Sequence, residues 1–358
     1  MTIAHDNSRP IRVLLADDSA FMRTALSRMI QSDPLLNVCG TAQTGSEALE
    51  KVASLEPDVV TLDVEMPGLN GLETLKRIMA SHPRPVIMVS SLTQEGAETT
   101  LEALDIGAFD YVPKQQSFVS LDIIRIRDDL VAKIKAAAES RRPVVRAASA
   151  PVVLSRGQST AIRPPRIIAL GTSTGGPKAL QQILPMLPKD LPVGVVVVQH
   201  MPVGFTKPFA SRLNNLCQIS VKEAEQAEPV RPGTVYIAPA GKHMTVAART
   251  PSDATIQLSL VPENTLHRPS VDVMMLSVAE SFQSLCMGVI MTGMGADGVQ
   301  GMKAIANAGG FTLGQDEPSC TVYGMPRSCA EAGILRRVVA LTQIPEQILQ
   351  ATRYRKHS

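Results

Sequence analysis

Two sets of residues in this 358-residue chain have the types and placement to do chemistry. The first is acidic. Asp17 and Asp18 follow the apolar run IRVLLA (11–16), and Asp63 follows DVVTL (58–62). In a parallel sheet the C-terminal ends of such strands share one edge, so three carboxylates would meet there. Like charges that close repel unless a cation offsets them. Ligands that are all oxygen favour Mg²⁺, which keeps several of its waters. Ser90 ends the run PVIMVS (85–90), and Lys114 follows FDYVP (109–113). A hydroxyl and an ammonium facing a carboxylate–metal cluster suit a phosphoryl group, with Asp63 as the nucleophile that forms an acyl phosphate.

The second set centres on a serine. Residues 171–175 read Gly-Thr-Ser-Thr-Gly, after a short apolar run at 167–170 and before a helix-compatible stretch in which Pro177 suits a first turn. Strand–turn–helix is the context in which G-x-S-x-G becomes a nucleophile elbow. The following helix N-terminus offers N–H groups to a developing oxyanion. A phosphate-cradling loop is the main rival, but the Walker lysine arrangement is missing. A capping serine in a Gly-rich turn is the bland alternative.

Serine needs a base. Of six histidines, His5 and His357 are terminal and His82 lies in the first half. Only His200 directly follows a strongly β-branched run (193–199, VGVVVVQ), which puts it on the same edge as Ser173. His243 and His267 lie in turn-like segments and are candidates for substrate contact. The base needs an orienting carboxylate, and Asp297 sits in the Gly-rich turn of VIMTGMGADG (289–298); its alternative role is to cap a following helix. The order Ser…His…Asp differs from that of α/β-hydrolases, but a triad is defined by geometry, not by order.

Both sets require strands that alternate with helices. Apolar runs at 11–16, 58–62, 85–90 and 109–112 are separated by helical periods over 20–30, 45–55, 71–79 and 97–104, and a last helix is expected over 121–138. Residues 139–164 are rich in Pro, Ala, Ser and Arg without a period and read as a linker. The alternation restarts after it, with strands at 167–170, 193–199, 235–238 and 285–291 and helices over 271–281 and 297–308. The expected organisation is a first domain over 10–135, a linker over 136–164 and a second domain over 165–352, both domains α/β with doubly wound parallel sheets.

Composition narrows the field. Apolar residues make up 44%, enough for real cores, and no apolar run reaches the ~18 residues of a membrane span. Residues 1–10 are polar, with no secretory h-region. Five scattered cysteines, none spaced C-x-x-C, argue against a disulfide framework or a zinc site and for a reducing cytoplasm. Residues 1–135 hold 13 basic and 19 acidic side chains, net −6, whereas residues 136–358 hold 22 and 14, net +8. Opposite signs suggest two domains that could attract each other. A nucleic-acid-binding output is disfavoured, because only the linker is densely basic.

Taken together, LLADDS (14–19), LDVEMPGLNG (62–71), VSS (89–91) and DYVPK (110–114) resemble the receiver domain of two-component response regulators. The resemblance implies a flavodoxin-like fold with Asp63 as phosphoacceptor. It implies Mg²⁺ on Asp17, Asp18, Asp63 and the backbone carbonyl of Glu65. Ser90 and Tyr111 match the switch hydroxyl and switch aromatic, and Lys114 matches the phosphate-sensing lysine. One departure is that Pro113 precedes the lysine, where many receivers have proline after it.

A second resemblance covers nearly all of 165–345. GTSTGGP (171–177), VVVVQHMPVGFTKPFASRL (195–213), IAPAGKHM (237–244), HRPSVDVMMLSVA (267–279), MTGMGADGVQGM (291–302) and QDEPSC..YGMP (315–326) are similar to the catalytic domain of the chemotaxis protein-glutamate methylesterases. This implies a Rossmann-like esterase domain with no cofactor and a triad of Ser173, His200 and Asp297. It also implies a supporting hydroxyl on Thr174 and an oxyanion donor in the Met294 N–H. Thr172 replaces an alanine common in some members, a change expected to be tolerated. The resemblance further implies methyl-accepting chemoreceptors as substrate, a chemotaxis histidine kinase as phosphodonor, and neither nucleic acid nor membrane insertion. An unphosphorylated receiver is expected to hinder receptor access, and phosphorylation to relieve it. The competing reading is a response regulator whose output binds without catalysing.

Overall fold

The structure, a computed structural model, describes residues 9–91, 93–114, 122–140, 163–248, 250 and 253–355. The chain divides into two compact units, residues 1–143 and 144–358.

The first unit alternates strictly. Its elements are β1 (Ile11–Ala16), α1 (Ala20–Gln31), β2 (Leu36–Ala42), α2 (Gly45–Leu55), β3 (Val59–Asp63), α3 (Gly71–Ser81), β4 (Val86–Ser90), α4 (Gln94–Ile106), β5 (Asp110–Pro113) and α5 (Asp122–Ser140). The sheet is parallel, in the order β2-β1-β3-β4-β5. Helix starts are written locally: Ser19, Thr44, Asn70 and Thr93 each accept an N–H of the first turn through the side chain. β3 and β4 are buried throughout, as expected for strands covered on both faces. β2 is an edge strand and mostly half-buried, so its pattern is not a continuous apolar run. α5 continues through Ser140, with Ala137 in the core, so the linker expected from 136 cannot begin before 141. The rest of that segment, 141–162, lies outside the described residues.

The second unit contains β6 (Ile167–Thr172), α6 (Gly176–Ile183), β7 (Gly194–Gln199), α7 (Thr206–Leu216), β8 (Ser220–Glu223), β9 (Thr234–Ile237), β10 (His243–Ala247), β11 (Thr255–Ser259), α8 (Val271–Phe282), β12 (Cys286–Ile290), α9 (Val299–Asn307), β13 (Phe311–Gln315), α10 (Met325–Glu331), β14 (Arg337–Val339) and α11 (Ile344–Ala351). Seven strands form a parallel sheet in the order β14-β13-β12-β6-β7-β9-β8. β6, β7 and β12 are wholly buried, and each enclosed Val, Ile or Leu contributes about 1.5–3 kcal/mol. The antiparallel ribbon β10–β11 is an addition to the expected all-parallel plan. It packs on α8 and buries Met244, Val246 and Ile256.

In both sheets the strand order reverses beside the first strand. In the first unit this lies between β1 and β3, and in the second between β6 and β12. The C-terminal crevice at such a reversal is where open α/β sheets bind ligands. Asp17, Asp18 and Asp63 follow or end the first pair of strands, and Ser173 and Asp297 follow the second.

Candidate functional site

The second-unit crevice is assembled by register. Thr172 pairs with Gln199 across β6 and β7, so Ser173 and His200 leave the sheet side by side. The His200 N–H donates to the Thr172 carbonyl at 3.2 Å. Gln199 Nε2 donates to the carbonyls of Ser173 (3.0 Å) and His200 (2.9 Å), tying the two loops together. Gly175, at φ 76°, takes the left-handed turn that starts α6. Ser173 itself is not among the residues with positive φ.

Asp297 joins His200 directly: Nε2 lies 2.8 Å from Asp297 Oδ2, and the two side chains are 9% and 11% exposed. Three further donors face the carboxylate. They are Ser270 Oγ (2.9 Å), Val271 N–H (2.8 Å) and Asp272 N–H (3.0 Å), all at the start of α8. Asp297 therefore caps α8 across 26 residues of sequence rather than the helix that follows it, where Gly298 is the cap. Burial alone would raise the carboxyl, but the hydrogen bond and charge of His200 and the backbone donors outweigh it. The pKa lies well below the ordinary carboxylate value.

With Nε2 on the carboxylate, Nε2 carries the proton and Nδ1 holds the lone pair. Nδ1 is buried and has no hydrogen-bond partner among the described residues. It is the ring nitrogen that the carboxylate does not occupy, the reverse of the usual template, in which aspartate holds Nδ1. Thr174, the expected supporting hydroxyl, makes no direct hydrogen bond to the imidazole among the described residues. Thr174 is buried, and its carbonyl instead accepts from Thr292 Oγ1 at 2.9 Å.

One expected source of oxyanion donors, the N-terminus of α6, needs revision. The Gly176 N–H is taken by the Ser173 carbonyl (2.8 Å), and Pro177 has no N–H, so the first two positions of α6 offer nothing. Met294 is half-buried in the turn beside the nucleophile. A Cβ on its neighbour Gly293 would lie 2.8 Å from Ser173 Cβ, which shows how closely this turn approaches the serine.

In the first unit, one ligand oxygen from each of Asp17, Asp18 and Asp63 lies within 4.8 Å of the others. Asp17 and Asp63 are buried and Asp18 is exposed. Lys114 Nζ lies 2.6 Å from Asp63 Oδ2 and 3.1 Å from Asp17 Oδ2. Its backbone N–H donates to the Ser90 carbonyl (2.6 Å), so Pro113 does not displace it. Burial raises the Asp63 carboxyl to about 6 despite Lys114 and the Glu65 N–H (3.1 Å), which favour its charge. Two buried carboxylates share one ammonium, and all donors are oxygen. That set fits a hydrated divalent cation such as Mg²⁺. Ser90 Oγ is turned toward α4, donating to the Gly96 carbonyl (3.1 Å) and accepting from the Thr100 hydroxyl (2.6 Å). Tyr111 is buried, and Lys133 Nζ donates to its carbonyl at 2.7 Å.

Two family models match the chain: CheB methylesterase over residues 168–348 and the response regulator receiver domain over 13–123. The chain is 49% identical to the protein-glutamate methylesterase/protein-glutamine glutaminase of Symbiobacterium thermophilum, over 96% of this chain and 97% of that one. A second such protein, from Oleidesulfovibrio alaskensis, is 46% identical over 95% and 99%. The chain belongs to the protein-glutamate methylesterase/protein-glutamine glutaminase family. The crystal structure of the CheB methylesterase catalytic domain from Thermotoga maritima matches at TM-score 0.51 and 41% identity, covering 52% of this chain and 98% of that one.

The methylesterase unit also holds site residues that sequence reasoning left open. His267 lies flat on His200, with ring centroids 4.0 Å apart and planes at 18°. His243 is fully buried and cannot touch substrate. Its Nδ1 accepts the Ser270 N–H (3.2 Å), so Nε2 carries the proton toward the Pro262 carbonyl (3.1 Å). It thus pins the segment that delivers both His267 and the α8 donors. Burial holds its pKa below the ordinary value.

Proposed function

We propose that this protein is a phosphorylation-controlled serine hydrolase acting on glutamyl γ-methyl esters of chemoreceptors. Its relatives' names supply the substrate class, and deamidation of receptor glutamine would follow from the same acyl chemistry. The carrying observation is the Asp297–His200 hydrogen bond next to Ser173, at the reversal of the parallel sheet. His200 Nδ1 takes the Ser173 proton, and Ser173 Oγ attacks the ester carbonyl. The Met294 N–H receives the oxyanion, a type of interaction worth about 2.7–4 kcal/mol. Methanol leaves with the proton from the imidazolium, and water hydrolyses the acyl-enzyme by the same relay. Asp297 keeps the useful tautomer and stabilises the imidazolium.

In the receiver unit, Asp63 accepts the phosphoryl group from a chemotaxis histidine kinase. Asp17, Asp18, Asp63 and the Glu65 carbonyl would hold Mg²⁺, whose charge would neutralise phosphoryl oxygens. Lys114 meets the phosphoryl oxygens. Ser90 leaves its bonds to Gly96 and Thr100 to join it, and Tyr111 follows as the switch aromatic. The reading places the protein in the cytoplasm, in keeping with five free cysteines and no helix long and apolar enough to cross a membrane among the described residues.

The test is methanol release from methylated receptor membranes, with and without a small phosphodonor. Ser173→Ala should abolish release while leaving phosphoryl uptake intact; persistent release would remove Ser173 as nucleophile. Asp63→Asn should block uptake and the phosphodonor response but keep basal release. Loss of basal release in a folded Asp63→Asn protein would contradict control by relief of inhibition.

A further inference from the structure

Thr292 follows β12, is buried, and stands two residues before Met294. Every polar atom it has is engaged. Its N–H donates to Gln315 Oε1 at 2.9 Å. Its carbonyl accepts both the Ser173 N–H (3.0 Å) and the Thr172 hydroxyl (2.8 Å). Its hydroxyl donates to the Thr174 carbonyl (2.9 Å) and accepts from the Val322 N–H (3.0 Å). Three of these five bonds land on residues 172–174, the nucleophile and its two neighbours, which lie on another strand end.

We propose that Thr292 is a positioning residue that locks the nucleophile turn to the turn carrying the oxyanion donor. The inference rests on reading Ser173 as nucleophile and Met294 N–H as that donor. The two groups come from strands β6 and β12, about 120 residues apart, so nothing covalent nearby fixes their separation. Thr292 belongs to the Met294 turn and grips the Ser173 turn from both sides through its own carbonyl and hydroxyl. Slippage between the strand ends would move nucleophile and oxyanion donor apart, and a displacement of about 1 Å can cost 10²-fold in rate. The Thr172 hydroxyl adds a second grip on the same carbonyl.

The closing experiment uses the full-length protein and compares Thr292→Val with Thr292→Ser. Valine keeps the shape and deletes the hydroxyl; serine keeps the hydroxyl. Thr292→Val should lower kcat for methanol release by about 10- to 100-fold with KM within about 2-fold, because the lost interaction acts on geometry in the transition state. Thr292→Ser should stay within about 3-fold of the parent, the conservative replacement restoring the grip. Unchanged kcat in Thr292→Val, equal loss in both variants, or a loss confined to KM would overturn the proposal. Should valine prevent folding, Thr292→Cys is read by the same criteria, its thiol being a much weaker partner. If Ser173→Ala remains active, the nucleophile reading has failed; if it is inactive while Thr292→Val is fully active, only the lock has failed.

Discussion

The two units set a carboxylate at the same place in the same kind of sheet and use it for opposite ends. Asp63 ends β3 and Asp297 follows β12, each in the crevice where its strand order reverses. Asp297 faces four donors: His200 Nε2, Ser270 Oγ and two backbone N–H groups. Asp63 faces Lys114 Nζ and one backbone N–H, with the Asp17 carboxylate alongside. The saturated carboxylate is held as an anion, with its pKa pressed down, and its lone pairs are committed. The under-supplied one is raised to about 6 and keeps lone pairs for a cation or a phosphoryl group. Donor count, rather than position in the fold, separates the two carboxylates, in line with the proposed roles of Asp297 as support and Asp63 as phosphoacceptor.

The largest expected effect tests that distinction at Asp297. Asp297→Asn preserves shape but replaces an acceptor with an NH₂ group, so at least one of the four donors meets another donor. If Nε2–H of His200 loses its acceptor, the imidazole no longer presents Nδ1 reliably. A fall in kcat of about 10⁴-fold is expected, the size seen when a triad imidazole takes the wrong tautomer. A fall under tenfold would mean that the carboxylate serves only to cap α8. The corresponding Asp63→Asn change should leave basal methanol release untouched, which a single shared role for the two carboxylates would not allow.

A smaller effect is expected at His267. Offset aromatic stacking is worth about 0.5–1.5 kcal/mol, so removing the ring should cost about 2- to 10-fold. His267→Leu should lower kcat by that factor, and His267→Phe, which keeps a flat face on His200, should recover most of it. A rise in KM in both variants, with kcat intact, would return His267 to the role of substrate contact.

Much of this was legible in the sequence because strand ends are. Apolar runs placed Asp17, Asp63, Ser173, His200 and Asp297 at C-terminal strand ends, and a parallel sheet gathers such ends on one edge. Side-chain direction was not legible. Which imidazole nitrogen meets Asp297, and that Ser90 points into α4, depend on rotamers that spacing does not encode. Elements without a continuous apolar run were also missed: the edge strand β2, with its half-buried pattern, and, off the alternating plan, the ribbon β10–β11. Without that ribbon, His243 reads as a residue in a turn, when it is a core histidine holding the 262–270 segment. The Thr292 bonds were invisible for a further reason: every one of the five uses a backbone atom on at least one side, and backbone atoms carry no sequence signature.

The smallest effect concerns pH, and it sets the two units against each other. His243 has its folded pKa held below 6.5, first by burial and then by the Arg268 charge, against the Pro262 hydrogen bond and the more distant Asp297 charge. Between that depressed value and 6.5 the unfolded chain binds more protons, so its contribution is fully present above 6.5 and is lost as pH falls through the window. Asp63 has the opposite sign. Its folded value, about 6, exceeds the unfolded 3.8, so its contribution is present below 3.8 and is lost as pH rises through 6. Without divalent cation, lowering pH from about 7 to about 5 should therefore weaken the methylesterase unit while favouring the receiver unit. Hydrogen exchange followed separately in β6–β7 and β3–β4 of the intact chain reads the two responses. His243→Asn should flatten only the first and Asp63→Asn only the second. Mg²⁺ should flatten the second as well, since a bound cation favours the ionised carboxylates. Parallel responses in the two units would show that donor supply at the carboxylates and burial at His243 do not govern them.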